Sequence, residues 1–339
     1  MSSSSSIQSS ATITAIGSYV PDDIITNADL ERLVETNDEW IIRRTGIETR
    51  RRCAPDQYSS DLAIAATQNL FSRFPAISAL DVDAILVATT TPDMPCPSVA
   101  SRVQQAFGIT SCLALDVSAA CAGFVSALQL ANGLILTGAY RKVLVVGAET
   151  LTKITDYTDR STCILFGDGA GAVLLEHSQT GSFLASSAVT DGSGGFQVYA
   201  TGLSQYGNNK ELLTGQGKLV QNGGAVLKWA LSTVPDGVRQ LLDSLDLTVD
   251  QIDWFVPHSA NLRMIESICE RLKLPSQKAL QSIVRYGNTS AASIPLALDI
   301  AYQEGNLQVD QLLILYGFGS GLTQSGLALR WTLPPSRSS

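Results

Sequence analysis

Short runs of β-branched and aliphatic residues recur along the chain, each ending on small residues that lead into an amphipathic stretch. Residues 84–89 (AILVAT) predict a buried strand, and 98–107 carry a helical pattern. Residues 113–117 predict a second strand, followed by a small-residue helix over 122–136. A third strand, 142–146 (KVLVV), closes on Gly147. Strands this short, alternating with helix-length segments, indicate parallel βαβ units. The second half repeats the rhythm: strand 254–256, helix 262–272, strand 281–285, helix 291–302, and strand 311–316 ending on Gly317.

The spacing suggests a duplication. Ile85 to Cys121 is 36 positions and Asp253 to Asn288 is 35; Cys121 to Gly147 is 26 and Asn288 to Gly317 is 29. Two halves of one core would then carry Cys121 and Asn288 at matching strand-to-helix turns. The expected organisation is a disordered Ser-rich leader over 1–11, an N-terminal half over 12–178, a C-terminal half over 179–333 and a tail over 334–339. Between the repeats, 178–224 is rich in Gly, Ser, Thr and Asn and reads as strands and surface loops.

Composition narrows the class. Hydrophobic residues are 45% of the 339 and charged residues only 16%, enough for a large core with both sheet faces covered. The net charge of −8 argues against non-specific nucleic-acid binding and against an anionic membrane surface. No run of about 18 apolar residues predicts a membrane span. The first ten residues lack the basic and apolar regions of a signal peptide. Six cysteines form no CxxC pair and only two histidines are present, so neither a zinc site nor a disulfide framework is expected, and cytosolic residence follows.

Three segments carry candidate chemistry. In DVSAACAGF, 116–124, a strand ends and Cys121 opens a helix. Backbone N–H groups and the helix dipole there would lower the thiol pKa and could hold an oxyanion. A small buried core cysteine is the competing reading. PHSAN, 257–261, puts His258 at the carboxyl end of a strand, where α/β sheets place functional groups; a hydrogen-bonded structural histidine is its alternative. In YGNTSAASIP, 286–295, Asn288 follows Gly287 at what could be an ordinary turn. All three at strand ends of a duplicated α/β core favour a nucleophile with two partners.

In this order, DVSAACAGF, PHSANLR and GNTSAAS resemble β-ketoacyl-acyl carrier protein synthase III of the thiolase superfamily. The nearest resemblance is to the Gram-positive enzymes that start branched-chain fatty acids. The resemblance spans about Ile13 to Trp331 and includes TNADLE (26–31), DEWIIRRTGI (38–47), DYTDR (156–160), FGDGAGA (166–172) and GFGSGLT (317–323). It implies an α/β fold, a five-layer αβαβα sandwich of two duplicated halves, assembled as a homodimer.

It also implies a reaction. Cys121 would take an acyl group from acyl-CoA; malonyl-acyl carrier protein would then lose CO2 and its carbanion attack the Cys121 thioester. His258 and Asn288 would donate to the malonyl thioester oxygen, and no metal or redox cofactor is required. Backbone N–H groups of Cys121 and Ser320 would hold the acyl oxyanion, with Phe318 over the sulfur. GFGSG replaces the family's GFGGG, so Ser320 brings bulk to a glycine position. Trp40, Arg44 and Arg160 match the CoA-gripping positions, an indole and guanidinium sandwiching adenine while Arg meets phosphate. Read without the resemblance, the Arg43, Arg44, Arg50, Arg51, Arg52 cluster is a solvated face.

Lys228, Arg263 and Arg271 would meet an acidic carrier protein, although Glu270 stands where relatives often carry lysine and NGGAV (222–226) lacks the family's usual Glu. In relatives the segment matching 93–98 (DMPCPS) enters the partner subunit's acyl pocket. Cys96 there, where Phe is frequent, predicts room for branched or medium-chain starters. Two other readings remain: a related acyltransferase passing the acyl group to an alcohol or amine, and a non-catalytic thiolase-fold partner subunit. Malonyl-dependent CO2 release separates the first, and an intact Cys121, His258 and Asn288 argues against the second. A Cys-His-Asn thioester hydrolase is more distant.

Overall fold

The computed structural model describes residues 5–336. Its strands are β1 (Ser5–Ser6), β2 (Ala11–Tyr19), β3 (Asp23–Thr26), β4 (Thr49–Arg52), β5 (Ala84–Ala88), β6 (Leu113–Val117) and β7 (Lys142–Thr150). They continue as β8 (Asp168–His177), β9 (Phe183–Thr190), β10 (Val198–Ala200), β11 (Leu219–Gln221), β12 (Trp254–Pro257), β13 (Leu312–Gly319) and β14 (Thr323–Arg330). The helices are α1 (Asn27–Glu31), α2 (Asp38–Thr45), α3 (Ser59–Arg73), α4 (Val99–Ala106) and α5 (Gly123–Leu136). After them come α6 (Arg160–Cys163), α7 (Gly223–Asp243), α8 (Leu262–Leu272), α9 (Ile283–Tyr286) and α10 (Ser293–Gln303).

Two mixed sheets form the frame, ordered β2-β8-β7-β5-β6 and β1-β9-β14-β13-β12. The central strands are buried along their whole length, as all five residues of β5 and seven of eight in β13 show. A strand covered on both faces needs a continuous apolar run rather than an alternating one, which is the pattern seen in AILVA and LLILY. Helices α5 and α10 pack between the sheets in one core with β5, β7 and β13. Helices α3 and α4 cover the outer face of the first sheet, and α7 and α8 that of the second. The expected five-layer αβαβα sandwich is the observed one.

A shift of 170 positions relates the halves: Gly147 falls on Gly317, Ala120 on Ser290 and Gly123 on Ser293. Ala120 and Ser290 are both held in the left-handed region at φ 47°. Each begins a single 3-10 turn, Ala120–Ala122 and Ser290–Ala292, before its helix. Each turn packs on the other half's central strand. A Cβ on Gly147 would stand 2.4 Å from the Ala291 carbonyl oxygen, and one on Gly317 2.7 Å from Ala122 Cα. Only glycine permits approaches this close. The matching turns are therefore real, but the mate of Cys121 is Ala291, and Asn288 pairs with Ser118, three positions earlier in the turn.

Two expectations need correction. Residues 281–285 do not form a strand; Ile283–Tyr286 is a short helix. The chain leaves the sheet after Leu280, whose N–H donates to the Phe255 carbonyl. It then turns at Gly287 (φ 67°) to reach the first half. The leader is ordered from Ser5 onward: β1 pairs antiparallel with the open edge of β9, and Ser9 Oγ lies 2.8 Å from Asn132 Oδ1. An unpaired strand edge attracts a further strand, and the serines do not prevent it. Residues 1–4 of the expected leader, and 337–339 of the expected tail, lie outside the described residues.

Gly317→Ala is expected to destabilise the fold by about 1–3 kcal/mol or more, because the new methyl meets backbone atoms that cannot step aside. Gly133→Ala, on an exposed stretch of α5 with nothing within 4 Å of the added Cβ, should be neutral or slightly stabilising. Thermal melts of the two variants check this, and equal melting temperatures would refute the packing argument.

Candidate active site

Where the two halves meet, a cavity of about 1000 Å³ is lined by Cys121, His258, Asn288, Phe318, Gly319 and Ser320. Trp40, Arg44 and Arg160 line its outer part. The three chemical candidates and the three expected CoA contacts therefore share one space. Among the described residues no group of three or more His, Cys, Asp and Glu side chains is arranged to hold a metal ion.

Cys121 sits in the 3-10 turn one residue before α5, half-buried, with its sulfur against Gly319. A Cβ on Gly319 would stand 3.0 Å from Sγ, so glycine is required beside the sulfur. Burial pushes the thiol up to about 12; Glu149 adds to the rise, while the Ser290 hydroxyl and the local backbone N–H oppose it. The sequence led us to expect a depressed thiol pKa at a helix tip. Enclosure raises it instead, which favours the thiol form of the resting sulfur.

His258 follows β12, is 2% exposed, and is depressed to about 3 by burial, so its imidazole is neutral. Its Nδ1 lies 2.8 Å from Ser293 Oγ. That same oxygen already accepts the Ser259 N–H at 3.3 Å. The Ser293 hydroxyl can direct its hydrogen at Nδ1, the arrangement that puts the ring proton on Nε2.

Asn288 is fixed from both sides. Its N–H donates to the Leu165 carbonyl at 2.8 Å and its carbonyl accepts from the Gly167 N–H at 3.1 Å. Its Oδ1 accepts the Ser290 N–H at 2.9 Å, so the Nδ2 hydrogens remain for a ligand. Two rigidly held donors with their other atoms already engaged make a polarising pair for a carbonyl oxygen.

Phe318 is 1% exposed, with its ring edge-on to the His258 imidazole at 5.4 Å and 74°. It walls the histidine and lines the same cavity as Cys121. Ser320 opens the turn after β13, and its Oγ donates to the Val198 carbonyl at 2.5 Å. The left-handed positions of that turn are Gly321 (φ 76°) and Leu322 (φ 46°), so a side chain at 320 meets no backbone penalty of that kind.

At the outer part, Arg160 lies over the Trp40 ring, 5.0 Å from its centroid, and donates to the Glu35 carbonyl at 3.0 Å. Arg263 caps α2: Nε donates to the Arg43 carbonyl at 3.2 Å and Nη2 to the Ile42 carbonyl at 3.3 Å, while Nη1 pairs with Glu266 at 2.9 Å. Arg271 donates to the Leu231 carbonyl at 3.1 Å. Lys228 is exposed on α7. Cys96 is exposed on the loop before α4, outside its own chain's cavity.

Three functional-looking residues escaped the sequence. Ser293 and Ser290 lay unremarked inside GNTSAAS. Glu149, 0% exposed, receives the Thr91 hydroxyl at 2.7 Å and the Thr90 and Thr91 N–H groups at 3.1 Å, with no motif to announce it.

Comparison with known proteins places the chain. Residues 115–192 match the family model described as 3-oxoacyl-[acyl-carrier-protein (ACP)] synthase III, and 242–331 its C-terminal counterpart. β-Ketoacyl-[acyl-carrier-protein] synthase III 2 of Halalkalibacterium halodurans is 53% identical over 97% of this chain and 99% of its own. The protein of the same name from Bacillus subtilis is 54% identical over 95% and 99%. The solved synthase III of Thermus thermophilus superposes with a TM-score of 0.90 at 41% identity, covering 94% of this chain and 99% of that one.

Since the thiolate fraction of a thiol held near 12 grows tenfold with each unit that the pH rises toward that value, alkylation of Cys121 in the free protein should climb steadily from pH 7 to 10. Peptide mass spectrometry after timed iodoacetamide labelling reads this. A plateau beginning near pH 7 would instead mean that the resting sulfur is a thiolate.

Proposed function

The chain belongs to the 3-oxoacyl-[acyl-carrier-protein] synthase III family, and from that premise we propose how its cavity does the work. It is an acyltransferase. It condenses an acyl-CoA starter with malonyl-acyl carrier protein, releasing CoA and CO2, and so initiates fatty acid synthesis. The observation that carries our assignment of roles is the convergence of the Cys121 sulfur with two pre-fixed N–H donors, His258 Nε2 and Asn288 Nδ2, in one cavity.

In the first half-reaction Cys121 attacks the thioester carbonyl. The bond between the carbonyl carbon and the CoA sulfur breaks, and the thiol proton ends on the departing CoA sulfur. Backbone N–H groups of Cys121 and Ser320 receive the transient oxyanion. Neutral His258 does not store the proton: burial holds its pKa near 3, so a thiolate–imidazolium pair is not the resting form. In the second, malonyl-acyl carrier protein loses CO2, and the charge left on its thioester oxygen is met by His258 and Asn288. The carbanion attacks the acyl-Cys121 carbonyl, Cys121 leaves as thiolate, and one proton from solvent restores the thiol. Each N–H donor on such an oxygen contributes about 3–4 kcal/mol to lowering the barrier.

Around this chemistry, Trp40 and Arg160 would stack with adenine while Arg44 meets phosphate. For the carrier protein, Lys228 is the freest of the three expected cations. Arg263 and Arg271 are engaged with backbone carbonyls and act first as struts. A homodimer is supported by the position of β6, which pairs with β5 on one side only and leaves Leu115 48% exposed at the open edge of the sheet. Cys96 would reach the partner's acyl pocket and leave room for branched or medium-chain starters. We take 12–178 and 179–333 as the halves of the duplication. No described helix is long and apolar enough to cross a membrane; the six free cysteines suit the reducing cytoplasm we assign.

Cys121→Ala should abolish acylation by acyl-CoA, read as mass added to the intact protein. His258→Ala and Asn288→Ala should still acylate but release CO2 from malonyl-acyl carrier protein roughly a hundred- to a thousandfold more slowly. Full decarboxylation by the Asn288 variant would remove its assigned role. Acetyl-, isobutyryl- and octanoyl-CoA should all leave their acyl masses on Cys121, and acceptance of acetyl-CoA alone would defeat the proposal for Cys96.

A further inference from the structure

One wall of the cavity is a small antiparallel hairpin, β10 paired with β11 through Val198↔Gln221, Tyr199↔Val220 and Ala200↔Leu219. Val198, Tyr199, Ala200, Leu219 and Gln221 all line the cavity. The loop between the strands carries Leu203, Tyr206 and Leu212 into solvent, so little apolar burial holds its far end. Strand β11 is tied to the first half by the Leu219 N–H on the Ile154 carbonyl at 2.8 Å. Strand β10 has a different tether. Among the described residues, the one hydrogen bond joining it to an element outside the hairpin is that from Ser320 Oγ to the Val198 carbonyl.

Ser320 therefore faces two ways. Its turn follows Gly319, which lies against the Cys121 sulfur, and its side chain holds the hairpin. The same turn grips the foot of the hairpin: the Leu322 carbonyl accepts the Asp191 N–H at 3.2 Å. The Leu322 side chain is so close to Gly194 that a Cβ there would fall 2.1 Å from Leu322 Cδ1. Movement of the wall and movement of the turn beside the nucleophile are mechanically one event.

We propose that the Ser320 hydroxyl is a positioning group for acyl-CoA, latching the β10–β11 hairpin to the turn beside Cys121 so that the cavity wall is set before substrate arrives. The proposal rests on the acyl-CoA reading of this cavity. A neutral hydrogen bond is modest in net strength, so its loss loosens the wall without unfolding the protein. Ser320→Ala keeps the Cβ and removes the latch, and Ser320→Thr keeps the hydroxyl.

Two measurements on the full chain test it. Hydrogen–deuterium exchange of the amides over 198–221, without substrate, should be about 3- to 10-fold faster in Ser320→Ala than in the unaltered protein. The acyl-CoA concentration giving half-maximal acylation of Cys121 should rise by a similar factor, with Ser320→Thr restoring both. Unchanged exchange and half-saturation in Ser320→Ala would overturn the latch. So would a fall in maximal acylation rate at constant half-saturation, which would assign the hydroxyl to the chemical step. Failure of the unaltered protein to acylate would count against the acyl-CoA reading instead, and the exchange measurement alone would then judge the latch.

Discussion

The reciprocal contact of two turns with two glycines is the constraint on which the site depends. Ala122 rests on Gly317 and Ala291 rests on Gly147, each half inserting its turn into the central strand of the other. A side chain on either glycine would push a turn outward by about the width of a methyl group. Such a shift is large for catalysis, where a misplacement of about 1 Å can cost roughly a hundredfold. The duplication thus supplies more than a repeated frame. It brings Cys121 of one half into one cavity with His258 and Asn288 of the other, with β13 delivering Gly319 to the sulfur and the Leu165–Gly167 segment locking Asn288.

Burial serves the two sides of the chemistry differently. It keeps His258 neutral and able to donate from Nε2, which suits an oxygen gaining negative charge. A cationic histidine would offer a stronger donor but would be costly in so enclosed a place. The same burial holds Cys121 as a thiol. That suits the second half-reaction poorly if the sulfur must leave as an anion, unless groups around it compensate. The Ser290 hydroxyl and the backbone N–H lower its pKa and are well placed to stabilise the departing charge, while Glu149 opposes them.

Much of this was legible in the residues. Apolar runs located the central strands and set both helix–strand rhythms, because a strand covered on both faces has no polar position to spare. Position 281–285 misled for the same reason: SIV looks like the start of a strand, yet the chain there must turn away to bring Asn288 beside Phe166. The Ser-rich start looked disordered because composition registers missing apolar surface and cannot register a vacant sheet edge, which is what orders Ser5–Ser6. Cys121, His258 and Asn288 were readable as a set. The thiol's protonation was not, since local dipole and global burial oppose each other and only the fold gives their relative size. Helix α7 went unread although its buried positions Val226, Ala230, Val234, Val238 and Leu241 recur at helical spacing, because two glycines open it and Pro235 sits inside it.

The walls of the cavity follow a different logic from its floor. Cys121, His258 and Asn288 all stand on elements of the duplicated core, fixed by backbone hydrogen bonds and glycine contacts. The residues of the outer walls belong to additions: Trp40 and Arg44 to α2, Val198 and Leu219 to the hairpin inserted after β9. Side-chain hydrogen bonds help fasten those additions to the core, Arg263 on the last carbonyls of α2 and Ser320 on the carbonyl of Val198. Each fastening is a hydrogen bond from a flexible or rotatable group, weaker than the packing that sets the floor. Packing thus sets the floor and hydrogen bonds help set the walls, and the Ser320 turn, next to the Gly319 that lies on the sulfur, joins the two.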